Sequence, residues 1–266
     1  MSNETSSEIA AKLASLLHIT QELPSMESSV RKRWEKAYGD TNTNVDGWLE
    51  GLFELALQAA EQAIDAICRF EGYKALYVTF ARKSLQSLYI PSVQESRVDK
   101  CIIEPLNSVL AALIDEVPDD LRERVADGFL DATIHLWERV VLDGGPLRAF
   151  RVSDVEDMEA DLSALQSFFI ADGEGLDESH VQHRTRRLCE ILTLMSLETD
   201  VLARNYESMK KQEDHQQHNT PARDPSLLFK ILCHRADRDA SKYLKNCGLP
   251  KRLRDNSQLL QFTVFN

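Results

Sequence analysis

Val181, Leu188, Met195, Leu202 and Met209 stand seven residues apart, and Leu192 and Tyr206 follow their predecessors by four. That repeat draws one apolar seam along a helix and lets the helix lie nearly parallel to its neighbours. Elsewhere the apolar residues return every three to four positions, and a period of two is missing. Leu49, Leu52, Phe53, Ala56, Ala59, Ala60, Ala63, Ile64, Ile67 and Phe70 form a second long stripe, expected to be buried, with a seam at Gly72. Only 10 Gly and 8 Pro occur in 266 residues, too few for the turns of an all-β protein. The fold class expected is all-α, a stack of long antiparallel helical bundles.

Breaks in the pattern divide the chain. Residues 1–44 carry two weak helices, the first ended before Pro24. Residues 45–150 make a first bundle segment, kinked or split at Pro105 and stopped by Gly144-Gly145-Pro146. Residues 151–209 make a second segment, opened by a capping box from Ser153 to Glu156 and containing the heptad seam as one long helix. Residues 210–225 read as a flexible connector, 226–254 as a basic amphipathic helix with its tail end, and 255–266 as a tail. No period of 30–45 residues recurs, which disfavours tandem solenoids.

Lys and Arg number 31 against 43 Asp and Glu, a formal charge of −12. Such acidity argues against a chain that coats nucleic acid. Five scattered Cys fit a reducing compartment, no secretory signal opens the sequence, and no apolar run is long enough for a bilayer. A cytoplasmic location is the default expectation.

Catalytic templates fail in turn. Glycine-rich phosphate loops, nucleophile elbows and His-Glu-x-x-His helices are missing. Asp172-Gly173-Glu174-Gly175 lacks the alternating ligands of a calcium loop and reads as a helix end. The pairs His180/His183 and His215/His218, and Cys233-His234 with Cys247, lack compact zinc spacing. Glu156, Asp157, Glu159 and Asp161 interleave with an apolar stripe and read as a solvated face. No enzyme, cofactor or metal is expected.

The C-terminal helix inverts the sign of the chain. Taken as one helix, it gathers Leu228, Leu232, Ala236, Ala240 and Tyr243 on one side and Arg235, Arg238, Lys242 and Lys245 on the other, with Lys230 near the edge. Lys251, Arg252 and Arg254 extend the run. Two readings stand: contact with anionic lipid or an acidic partner, or neutralisation inside the fold by the acidic stretch 156–161.

Three blocks carry a family resemblance. They are Ala66 to Lys74 with Leu88 to Arg97, then Val140 to Phe150 with Asp161 to Phe169 and Asp172 to Leu176, and last Leu227 to Arg235 with Ala240 to Lys245 and Leu249-Pro250-Lys251. In this order, over residues 48–251, they resemble the C-terminal part of plant MUN-domain proteins, relatives of the Munc-thirteen vesicle-priming factors that include a proton-ATPase translocation control protein. The resemblance implies a rod of helical bundles that binds SNARE or tethering-complex components and membranes. It also implies exocytic delivery of cargo, with the protein peripheral at the plasma membrane or endosomal vesicles. A truncated paralogue acting as regulator or decoy of a full-length relative is the alternative.

Overall fold

The structure, a computed structural model, describes residues 5–38, 43–80, 88–89, 98–143, 149–210 and 224–247. These form nine α-helices: α1 (Ser6–Tyr38), α2 (Thr43–Phe80), α3 (Glu104–Ile114), α4 (Asp119–Asp143), α5 (Val155–Ile170), α6 (Glu178–Met195), α7 (Thr199–Lys210), α8 (Pro225–Cys233) and α9 (Arg238–Asn246). The only β pairing among the described residues is an isolated bridge between Phe150 and Arg235. The all-α expectation therefore holds. The chain divides into two compact units, Met1–Tyr77 with Pro105–Ala132, and Val78–Glu104 with Thr133–Asn266.

In the first unit, α1 runs through Pro24 without stopping. Proline removes one backbone hydrogen bond, and the helix survives because both sides are held. Ile9, Ala10 and Leu13 are buried before it. After it, Glu27 pairs with Arg31 at 2.7 Å, and the Trp34 and Tyr38 rings lie 4.5 Å apart.

The expected seam at Gly72 is also corrected, for α2 is continuous there. A Cβ at Gly72 would sit 2.9 Å from Ala132 Cβ, and one at Gly128 would sit 2.7 Å from the Cys68 backbone carbon. The two glycines let α2 and α4 cross with their backbones nearly touching. Cys68, in that crossing, is fully buried, and burial pushes its thiol up to about 12, so it acts as a small apolar residue. Arg124 ties the rim by gripping Asp65 at 2.6 Å and the Glu61 carboxylate.

Pro105 marks the break expected of it. Asp99–Ile103 is a π-helical turn, the wider winding that accommodates a missing N–H one step into α3.

In the second unit, Val181, Leu188, Met195 and Leu202 are all buried, at 0%, 1%, 3% and 0% exposure. The seam is core. It does not lie on one helix, however: α6 ends at Met195 and α7 begins at Thr199. A seven-residue repeat does not register the short turn at 196–198, because apolar residues on both sides continue to face inward. α5 opens not through Ser153 but through Asp154, whose carboxylate accepts the Arg151 N–H at 2.8 Å. Its C-terminal end turns left-handed at Ala171 (φ 46), Asp172 (φ 55) and Gly173 (φ 95), the helix stop expected of the Asp-Gly-Glu-Gly run.

Asp161 departs from the expected solvated face, being 4% exposed. The Tyr89 hydroxyl donates to its carboxylate at 2.8 Å, and Trp137 Nε1 donates to the same hydroxyl at 3.0 Å. Burial, and then the Asp161 charge beside it, push the Tyr89 hydroxyl well above its ordinary value. A buried carboxylate needs such a donor, and no local pattern in the sequence announces one lying 72 residues away.

Candidate partner interface

The basic C-terminal region is two helices. Asp224 caps α8 by accepting from the Ser226 N–H at 2.9 Å, with Pro225 in the first turn. Asp237 caps α9 by accepting the Ala240 N–H at 2.6 Å and the Thr199 hydroxyl. Between the two helices, the His234 carbonyl accepts from Phe150 N–H at 2.7 Å and the Ala236 N–H donates to the Phe150 carbonyl at 2.8 Å. Extended backbone there turns the second helix away from the axis of the first.

That break relocates Arg235. It is 5% exposed and donates through Nη2 to the carbonyls of Met195 (2.7 Å) and Leu197 (2.9 Å). These are the oxygens left at the α6 C-terminus by the turn into α7. Burial pulls its pKa down, although Asp237 and Glu198 support the charge. Arg235 therefore caps a helix from inside and does not belong to the basic face. Sequence reasoning placed it there by continuing one helical wheel through a turn.

Lys230 sits 3.0 Å from Asp143 of α4, so its partner is not the acidic stretch 156–161. Arg238, Lys242 and Lys245 are exposed on α9, four and then three residues apart on one face. The opposite face holds buried Ala240 and Tyr243, whose hydroxyl donates to Glu207 at 2.6 Å. Lys245, in the last turn, complements the helix dipole. Lys251, Arg252 and Arg254 lie outside the described residues, as do the connector 211–223 and the Gly144-Gly145-Pro146 stop. The structure thus gathers three of the predicted cations on one surface, ties a fourth at its edge and withdraws a fifth.

A second surface went unread in the sequence. Trp48, Leu52, Leu55 and Phe70 of α2 are 65%, 47%, 64% and 45% exposed, although the stripe containing Leu52 and Phe70 was expected to be core. Leu49, Ala60 and Ile64 of that stripe are buried as expected, and with Cys68 they carry the burial of this stretch of α2. The available signal was that α2 is apolar around more than one face, more than a single packing partner can cover.

Among the described residues no group of three or more His, Cys, Asp or Glu could hold a metal ion, and no helix is long and apolar enough to cross a membrane. The polar side chains cap, clamp and pair helices. The described residues form helices joined by short turns. Residues 2–253 match the family model "PATROL1-like, TPR repeats", and the chain belongs to that family. The Arabidopsis thaliana "Protein unc-13 homolog" is 32% identical over 194 residues, covering 73% of this chain and 18% of that protein. The chain thus spans under a fifth of the relative's length. No solved structure matches it.

The family's repeat description overturns the expectation against solenoids. The first two helices are 33 and 38 residues long and the last two are 9 each. Helices of such unequal length keep no constant spacing in sequence.

Proposed function

We propose that this protein is a non-enzymatic interaction module of membrane trafficking. It acts in vesicle tethering or priming and in exocytic delivery to the plasma membrane, with SNARE or tethering-complex proteins as partners. The likeness to an unc-13 homologue supports the pathway, and a family of helical repeats supports a binding role. The observation that carries the mechanism is the exposed row Arg238, Lys242 and Lys245, with the Lys251 to Arg254 run following in sequence. In a chain of charge −12, screening over about 8 Å lets such a row act on any surface it touches. Each cation near an anionic leaflet contributes about 1 kcal/mol.

Co-sedimentation with liposomes of phosphatidylserine and phosphatidylcholine tests this reading. The chain should bind at low salt and be released by added salt, and Arg238→Glu/Lys242→Glu should bind about tenfold more weakly or worse. Equal binding by both proteins would remove the membrane from the function. The alternative reading is a regulator or decoy of a full-length relative. Overproduction separates the two, since a decoy suppresses secretion and a working module does not.

A further inference from the structure

Arg stands three residues before a Ser or Thr at three positions of the chain, Arg223–Ser226, Arg238–Ser241 and Arg254–Ser257, and all three lie in the basic C-terminal region. Arg at that distance is a charge pattern that basophilic protein kinases read. Arg223, Arg254 and Ser257 lie outside the described residues. Ser241 stands within the row of α9. At 100° per residue it is about 60° from Arg238 and about 40° from Lys245, where the exposed face of the helix meets the covered one. The residue is half-buried, and its hydroxyl donates to the Asp237 carbonyl at 3.1 Å.

The exposed charges of α9 are Arg238, Lys242 and Lys245 with Asp239, a net of two positive. A phosphate on serine carries about −1.5 to −2 at pH 7. Residues three before and four after Ser241 are its neighbours on the helix surface. Arg238 and Lys245 therefore both reach a phosphate there, in charge-assisted hydrogen bonds. With two of the three cations so held, the face is close to neutral. The helix can also yield the hydroxyl to a kinase. Nine residues do not sustain a helix alone in water. This one is held by buried Ala240, by the Thr199 hydroxyl on Asp237 and by the Tyr243–Glu207 bond. A segment with so little buried apolar surface opens locally.

We propose that Ser241 is the acceptor of a basophilic serine kinase and that its phosphate switches off the basic row of α9. The Ser241 oxygen bonds to the γ-phosphorus of MgATP as the bond from that phosphorus to the β-phosphate oxygen breaks. ADP leaves, and the hydroxyl proton passes to the catalytic base of the kinase. The switch rests on the membrane reading and adds its regulation: cations that hold an anionic leaflet let go when a phosphate takes them.

The full chain, incubated with a calmodulin-dependent protein kinase and MgATP, should take phosphate at Ser241, mapped by mass spectrometry. Arg238→Ala should lower that labelling at least about tenfold. Phosphoserine inserted at 241 during translation should weaken co-sedimentation with phosphatidylserine vesicles at least about tenfold. Ser241→Ala should bind as the native chain does, and the thermal midpoints of the three proteins should agree. Labelling confined to Ser226 or Ser257, or indifferent to Arg238, overturns the acceptor. Equal binding with and without the phosphate overturns the switch and leaves the membrane reading standing. A lowered midpoint in the phosphoserine chain traces release to unfolding and overturns the switch as well. A native chain that fails to bind the vesicles at low salt overturns the membrane reading, and the switch with it.

Discussion

α2 and α6 both carry long apolar stripes, and the two stripes meet opposite fates. On α6, Val181 and Leu188 are fully covered. On α2, Trp48 and Leu55 are about two-thirds exposed, while a second band of the same helix takes the burial. The difference teaches that an apolar period identifies a helix and a face but not whether the rest of the chain covers that face. α6 has one apolar side and polar residues elsewhere, so its neighbours can complete the burial. α2 is apolar on two sides, and its packing against α4 through Gly72 and Gly128 uses one.

The sharpest way to break this comparison is to place the same charge in each stripe. Leu188→Asp buries an unpaired carboxylate and should cost about 4 kcal/mol or unfold the protein outright, read as the urea midpoint. Leu55→Asp should change stability by less than about 0.5 kcal/mol. Similar losses at both sites would show that the α2 stripe is covered in solution.

The covered side of α2 offers the next contrast. Gly128→Ala pushes a methyl to 2.7 Å from the Cys68 backbone, and separating the helices should cost about 2 kcal/mol. Gly51, on the same helix as Cys68, has nothing within 4 Å of a built Cβ. Gly51→Ala should therefore stabilise by about 0.5–1 kcal/mol, through helix propensity alone. A destabilising Gly51→Ala would mean that the outer face is packed.

Within the second unit, Tyr89→Phe removes the hydroxyl that serves both Asp161 and Trp137. A loss of about 1–2 kcal/mol is expected by chemical denaturation.

The smallest effect is a pH dependence at the start of α6. The Ser179 hydroxyl and then the His180 N–H hold the Asp177 carboxyl below the usual carboxylate range. A depressed folded value means the ionised cap stabilises α6 fully above about pH 4 and ceases to do so as pH falls through the folded value. The thermal midpoint of the native chain should fall toward that of Asp177→Asn as pH drops from 5 to about 3. A constant gap between the two curves would remove Asp177 from the acid response.

Much of this was legible because its causes are local. Pro105 and the Asp172-Gly173 turn announce a break and a helix end through their own backbone chemistry, and the heptad residues announce a face. Arg235 and Asp161 were misread for a common reason. Their charges signal solvent, yet each is buried against a partner far away in sequence, the Met195 carbonyl for one and the Tyr89 hydroxyl for the other. The basic row survived in part, since Arg238, Lys242 and Lys245 share one helix and their mutual placement needs no tertiary information.

Sequence by itself determined that this chain is helical, where most of its helices stop, and that its C-terminal region is basic within an acidic whole. Period, caps and charge act over a turn or two of chain, and the residues themselves set them. Only the tertiary structure decided which of two apolar bands on α2 is covered, that Arg235 caps α6 from within, and that Asp161 is held by Tyr89. Burial and long-range hydrogen bonds depend on which surfaces meet. That is a property of the whole packing, and no short stretch of sequence carries it.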